Sequence, residues 1–238
     1  MGKPILISLE GNIGVGKSTF IEHLENIYKK ESGWIFLKEP VHIWETIVDE
    51  NGKSVLENFY EDPKKYAFAF QVMAFTTRYQ ELKRIVREHP NCKGIICERS
   101  LEADKHIFAK MLHKDGLMDK LMYNIYDRYF QEYEGNFRLD GLIYIDASPE
   151  ICHKRIQNRS RNGESNISLE YLQTCHNFHV EWFKNTTTPV LKINVNEHID
   201  VSNKENKTSL KWIQSVQSFI QNFDKEKSSL IEPENFIS

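Results

Sequence analysis

A three-layer α/β/α fold around a five-stranded parallel sheet is what this 238-residue sequence predicts. Two observations carry that expectation. Five short apolar runs of strand length recur along the chain, and segments of helical length and period separate them. A third observation, a glycine-rich loop between the first run and the first helix, narrows the class further.

The elements follow in order. Residues 3–10 (KPILISLE) make the first strand. Residues 18–31 read as a helix, with Phe20, Ile21, Leu24 and Ile27 on one stripe. WIFLK at 34–38 is the second strand, and a loop with short helices runs to about 60. Pro63 suits a first helical position, and the helix it opens runs to about 88, where Pro90 stops it. Tyr66, Phe68, Phe70, Met73 and Phe75 make its early part apolar on more than one face, which implies burial against two partners. GIICE at 94–98 is the third strand, followed by helices at about 100–114 and 117–134. GLIYID at 141–146 is the fourth, and Asp146-Ala147-Ser148-Pro149 starts the next helix. A polar loop at 160–167, a helix at 168–184, the strand PVLKIN at 189–194 and a helix at about 208–223 complete the pattern. Residues 1–224 are expected to form one domain, with a lid at about 155–167 and a polar tail at 225–238.

Charge and composition exclude several classes. The 31 Lys+Arg against 34 Asp+Glu give −3, which does not suit a polybasic binder of nucleic acid or membrane. No apolar run approaches the ~20 residues of a bilayer span. Four cysteines without a CxxC pair are no disulfide framework, so a reduced intracellular compartment is expected, the cytoplasm first, with mitochondrion and nucleus left open.

Gly11-Asn12-Ile13-Gly14-Val15-Gly16-Lys17-Ser18 fits the phosphate-binding pattern GxxxxGK[ST]. Chance supplies that pattern in roughly one chain in a hundred of this length. Here it follows a strand and opens a helix, as its chemistry requires. The glycines let backbone N–H groups face phosphate oxygens, and the helix N-terminus adds positive charge. Lys17 would reach the β- and γ-phosphates, Ser18 would ligate Mg²⁺, and Thr19 continues the loop into the helix. A guanine reader of NKxD type is missing, since Asn206-Lys207-Thr208-Ser209 lacks the Asp. A short chain with this loop and a basic lid points to a small-molecule kinase.

Two carboxylates stand at strand ends, the ligand edge of an open α/β sheet. Glu39 follows the second strand and could take a proton from an attacking hydroxyl, or could be a capping or solvated residue. Glu98-Arg99-Ser100 ends the third strand: a carboxylate for Mg²⁺ and a guanidinium for phosphate or for Glu39, or else a structural ion pair.

The ordered set GNIGVGKST, Glu39-Pro40…Trp44, Tyr66-Ala67-Phe68-Ala69-Phe70-Gln71…Arg78 and Glu98-Arg99-Ser100…Asp104 resembles the deoxynucleoside kinase family. Arg155-Ile156…Arg159-Ser160-Arg161-Asn162…Glu164…Ser168-Leu169-Glu170-Tyr171-Leu172 looks like that family's lid and following helix. The resemblance covers about residues 3–222 and implies a P-loop kinase fold with a helical lid. It implies Glu39 as base on the 5′-hydroxyl, with Arg99 holding that hydroxyl. Tyr60 and Glu164 would bind the sugar 3′-hydroxyl. Trp44, Phe70 and Phe108 would wall the base, with Leu56 and Phe59 nearby, and Gln71 would read it. Ser18 and Glu98 would serve Mg²⁺, and Arg155, Arg159 and Arg161 would close over the phosphates of ATP. Phe68 and Phe75 are read as core. The family also implies a homodimer through helices such as 63–88 and 117–134.

Ala74, Arg78 and Asp104 resemble the deoxycytidine and deoxypurine branch. A buried Asp needs a partner charge, which Arg78 can supply. An oxygen of Asp104 would then accept from an exocyclic amine, which cytosine and adenine present and thymine does not. The expected acceptors are deoxycytidine and/or deoxyadenosine, with deoxyguanosine possible. Asn196-Glu197-His198-Ile199 stands where the family's donor-base loop lies; His198 and Ile199 replace an acidic–aromatic pair seen in some relatives, which leaves ATP, UTP or GTP open as the donor. Two rivals are kept: a thymidylate-kinase-like monophosphate kinase, whose acceptor phosphate Glu39 would repel, and a non-enzymatic P-loop regulator.

Overall fold

A computed structural model of the chain describes residues 3–28, 32–159, 163–197 and 206–229. Five strands form one sheet: β1 (Ile5–Glu10), β2 (Trp34–Leu37), β3 (Gly94–Glu98), β4 (Gly141–Asp146) and β5 (Val190–Asn194). Their order is β2-β3-β1-β4-β5, and every neighbouring pair is parallel. Parallel pairing forces crossovers, and helices supply them: α1 (Lys17–Ile27), α2 (Val41–Thr46), α3 (Val55–Glu61) and α4 (Pro63–Glu88) come before β3. Short helices α5 (Leu101–Ala103) and α6 (Lys110–Lys114), then α7 (Lys120–Tyr133), α8 (Pro149–Arg159), α9 (Leu169–Asn185) and α10 (Lys207–Ser229) complete the fold.

Alternation along β1 builds two cores. Ile5, Ile7 and Leu9 pack on one face with Phe20, Ile21 and Leu24 of α1 and Val216 and Ile220 of α10. Leu6 points the other way, into a core with Phe75 and Leu82 of α4 and Tyr126 and Phe130 of α7. Phe75 lies wholly inside that core, 1% exposed, and Phe68 packs against it. At the sheet's near end Trp34 pairs with Gly94, and a Cβ on Gly94 would meet the indole at 2.3 Å. The strand glycine gives the ring of its neighbour a place to lie.

Several elements differ from the sequence reading. The first helix, expected at 18–31, ends at Ile27, where Tyr28 turns to an extended backbone. The helix expected at 100–114 is broken by a π-helical turn over Asp104–Ala109. That extra residue per turn aims Asp104 and Phe108 at the sheet edge, a common use of such turns. The helix expected at 117–134 ends at Tyr133 and gives way to a 3₁₀ turn, Glu134–Phe137. The last helix runs on to Ser229 instead of 223, through a Lys- and Glu-containing stretch that favours helix. Within the expected polar loop, Glu164–Asn166 form a 3₁₀ turn; residues 160–162 lie outside the described residues. No helix of the described residues is long and apolar enough to cross a membrane.

Candidate active site

The carboxyl ends of β1, β2 and β3 deliver Gly11, Glu39 and Glu98 to one edge of the sheet. A cavity of about 610 Å³ opens along it. Of the residues the sequence singles out, Gly11 and Asn12 stand outside the lining, and Arg161, like His198 and Ile199, lies outside the described residues. The others line it.

The phosphate loop is shaped by its glycines. Gly11 has φ 149°, and a Cβ there would lie 2.4 Å from the Ile145 carbonyl oxygen. Gly16, with φ 106°, turns the chain into α1. Lys17 is 5% exposed, and its Nζ donates to the Gly11 and Asn12 carbonyls at 3.2 and 3.0 Å. Burial, reinforced by Arg99, lowers its pKa to about 8, against the raising pull of Glu39, Glu98 and Glu10. Asn12 Nδ2 donates to the Leu172 carbonyl at 2.9 Å, tying the loop to α9. Ser18 Oγ donates to Glu98 Oε1 at 2.8 Å. One carboxylate beside one hydroxyl is the hard-oxygen donor set Mg²⁺ takes from a protein, with phosphates and water supplying the rest.

Glu39 sits between two guanidinium groups. Arg78 Nη2 donates to its Oε1 at 2.7 Å, and Arg99 Nε to the same oxygen at 3.2 Å. Burial pushes the carboxyl up, but Arg78, Arg99 and Lys17 together outweigh it and hold it at about 2. Arg78 Nε also donates to Asp104 Oδ2 at 2.9 Å. Burial raises Asp104 to about 6; Arg78, shared with Glu39, offsets only part of that. Arg99 is the one non-glycine of positive φ among the described residues, at 66°. That backbone costs about 1–3 kcal/mol. Its guanidinium lies 4.5 Å over the Phe108 ring, and its Nη1 is buried with no hydrogen-bond partner.

Aromatic rings wall the deep end. Phe59 stacks on Phe70 at 4.6 Å, and Trp44 meets Phe70 edge-on at 5.4 Å. Trp44 Nε1 donates to Thr77 Oγ1 at 2.9 Å, which fixes the indole. Gln71 is 2% exposed, and its Oε1 has no partner in the protein. A buried amide oxygen left unpaired costs free energy that a ligand donor would recover. Burial, with Glu164 and Glu39 nearby, pushes the Tyr60 phenol well up, so it stays a neutral donor.

The end of α8 and the segment after Gly163 are tied to the rest of the site. Arg155 donates from Nη1 to the Val15 carbonyl at 2.9 Å and from Nη2 to Val195 at 3.0 Å, and so sits beside the phosphate loop. Arg159 forms an ion pair with Glu164. Gly163, at φ 79°, packs on Glu57 of α3, the helix that also carries Leu56, Phe59 and Tyr60 of the cavity lining.

Sequence reasoning missed Lys38, Tyr171 and Trp212, which also line the cavity. Lys38 adjoins Glu39 and Tyr171 lies within a motif already noted; Trp212 has no sequence signal. It also missed the link between Arg78 and Glu39, 39 positions apart.

The family model described as "Deoxynucleoside kinase" matches residues 7–221. Among curated relatives, a probable deoxycytidine kinase of fowlpox virus (strain NVSL) is 37% identical over 208 residues, covering 84% of this chain and 83% of the relative. A mitochondrial deoxyguanosine kinase of Xenopus laevis is 32% identical over 225 residues, 82% of each chain. A deoxyadenosine kinase of Dictyostelium discoideum is 35% identical over 198 residues, covering 82% of this chain and 74% of the relative.

Proposed function

The chain belongs to the deoxynucleoside kinase family, and from that premise we propose that it moves the γ-phosphate of MgATP to the 5′-hydroxyl of deoxycytidine and/or a deoxypurine nucleoside, in preference to thymidine. It is a phosphotransferase that acts on a deoxynucleoside. The observation carrying the finer reading is the buried pair of Arg78 and Asp104 at the deep end of the cavity. Arg78 takes one Asp104 oxygen, and the other accepts from an exocyclic amine. Gln71 adds an acceptor through its unpaired Oε1 and donors through its amide nitrogen, matching a base edge. Relatives named for deoxycytidine, deoxyguanosine and deoxyadenosine support the same branch.

In this reading the base lies among Trp44, Leu56, Phe59, Phe70, Ala74 and Phe108. Tyr60 and Glu164 hold the 3′-hydroxyl. Arg99 Nη1 donates to the 5′-oxygen, and Glu39 accepts the 5′ proton. A carboxylate held at about 2 is a weak base. That suits a loose phosphoryl transfer, in which the proton leaves late and positioning does most of the work. Lys17, with Arg155, Arg159 and Arg161, binds the triphosphate and stabilises charge on the moving group. Ser18 and Glu98 would hold Mg²⁺, which when bound neutralises charge on the β- and γ-phosphate oxygens.

A homodimer through α4 and α7 is part of the proposal. Leu121, Ile125 and Tyr129, four residues apart on α7, are 70%, 46% and 44% exposed and would be covered by a second copy. Sedimentation that finds only monomer at micromolar concentration removes it.

One assay tests the reaction: MgATP with each of the four deoxynucleosides and their monophosphates, reading ADP release. Release with deoxycytidine or a deoxypurine nucleoside is the expected result. Release with monophosphates alone would return the thymidylate-kinase-like reading, and nucleotide binding without release the regulatory one.

A further inference from the structure

Glu10 is the last residue of β1, is fully buried, and does not line the cavity. A carboxylate in such a place must be satisfied by hydrogen bonds or it destabilises the fold. Three donors converge on its Oε1: Ser8 Oγ at 2.6 Å, Ser100 N at 2.9 Å and Ser100 Oγ at 2.6 Å. Its Oε2 has no partner. All of the hydrogen bonding thus falls on one oxygen, and two of its three donors belong to Ser100, the third to Ser8 of the same strand.

Ser100 follows Arg99, whose left-handed backbone must be held in place from outside. On one side the Arg99 N–H donates to the Leu9 carbonyl at 3.0 Å. On the other, Glu10 grips Ser100 through both backbone and hydroxyl. Ser100 Oγ also accepts from Ala103 N at 3.1 Å and so caps the helix that follows. Leu9 and Glu10 are consecutive residues of β1, just before the phosphate loop. The strand that presents the phosphate loop therefore also clamps the turn that presents Arg99.

We propose that Glu10 is a positioning residue for phosphoryl transfer: by fixing Ser100 it holds Arg99 in its strained turn, with the guanidinium directed at Glu39 and the 5′-hydroxyl. This rests on the reading of Arg99 given above. What counts is the placement of an acceptor oxygen. The negative charge is secondary: no ion pair to Glu10 forms among the described residues, and of the three carboxylates that act on Lys17 it has the smallest effect.

The test uses Glu10→Gln and Glu10→Asp. Gln keeps the acceptor oxygen where it is and replaces only the unpartnered one. Asp keeps the charge but withdraws the oxygen by one methylene. Both are isosteric or smaller, and folding is checked by circular dichroism before kinetics. The expected result is that Glu10→Gln keeps kcat within about threefold, while Glu10→Asp loses about tenfold or more in kcat with KM for ATP nearly unchanged. The same substitutions are then made in an Arg99→Ala background. There Glu10→Asp should cost less than about twofold further, since a residue acting through Arg99 has nothing left to position. Three results overturn the proposal: Glu10→Asp with unchanged kcat, Glu10→Gln losing as much as Glu10→Asp, or full loss from Glu10→Asp in the Arg99→Ala background. If Arg99→Ala alone leaves kcat intact, the reading of Arg99 fails instead, and that outcome is seen separately from the other three.

Discussion

Arg78 Nη2 donates to Glu39 Oε1 at 2.7 Å, and that single bond joins the base-reading end of the cavity to its reacting end. The same guanidinium holds Asp104 through Nε. One buried cation thus neutralises two carboxylates, one proposed to select the base and one to receive the 5′ proton. Changing the base pocket therefore changes the chemistry.

Replacing Arg78 by Met together with Asp104 by Ala is expected to raise the ratio of kcat/KM for thymidine over deoxycytidine by about tenfold or more, because no polar group then demands an amine. The kcat for every substrate should fall at the same time, as Glu39 loses its closest partner. Thymidine turnover no better than in the parent protein would contradict this account of selectivity. Arg78→Met alone leaves Asp104 buried and unpaired, at an expected stability cost of about 3–5 kcal/mol. Denaturant titration should show the single variant to be less stable than the double.

Glu39→Gln is expected to lose about 10²–10⁴-fold in kcat with deoxynucleoside binding largely kept. Its pKa gives a second check. The carboxyl is held at about 2, so it stays ionised above that value and should put no limb into the kcat/KM profile between pH 5 and 7. Near-normal turnover by the Gln variant would take Glu39 out of the proton-accepting role.

Lys17 has the opposite sign. Burial and Arg99 lower it to about 8, so its positive charge is complete below that pH and is lost as pH rises through it. If the charged ammonium binds the triphosphate, the Kd for ATP should weaken about tenfold between pH 7 and pH 9, one proton being linked to binding. Calorimetric titration at the two pH values measures this. A flat affinity would mean that Lys17 keeps its proton throughout.

Gly94→Ala is expected to destabilise by about 1–3 kcal/mol, because the new methyl meets the Trp34 ring at 2.3 Å and the Ile5 carbonyl oxygen at 2.8 Å. The melting temperature should drop by about 2–10 °C, while kcat of the folded enzyme stays unchanged. The smaller ring of Trp34→Phe should recover part of the loss.

Legibility differed from residue to residue. The phosphate loop was readable because its chemistry is local: eight consecutive residues carry the glycines, the lysine and the serine. The strands were readable because apolar runs of strand length need no partner to be recognised. Glu39, Glu98 and Arg99 were readable as strand-end residues, and the family resemblance supplied their expected roles. The π-helical turn was not readable, since Asp104–Ala109 has the composition of an ordinary helix. Nor was the role of Glu10, whose partner Ser100 is 90 positions away.

The sequence by itself determined the class of fold, the phosphate loop, the family and many of the side chains around the cavity, but not Lys38, Tyr171 or Trp212. Each of those is written in short segments whose backbone needs and polarity are local properties. Tertiary structure alone decided how the charges are shared. Arg78 faces both Glu39 and Asp104 because α4 brings its guanidinium to the ends of β2 and β3, where it also reaches the Glu98 carbonyl, and the π turn presents Asp104 to it. Such pairings depend on distances of a few ångströms between segments far apart in the chain, and spacing along the sequence does not encode them.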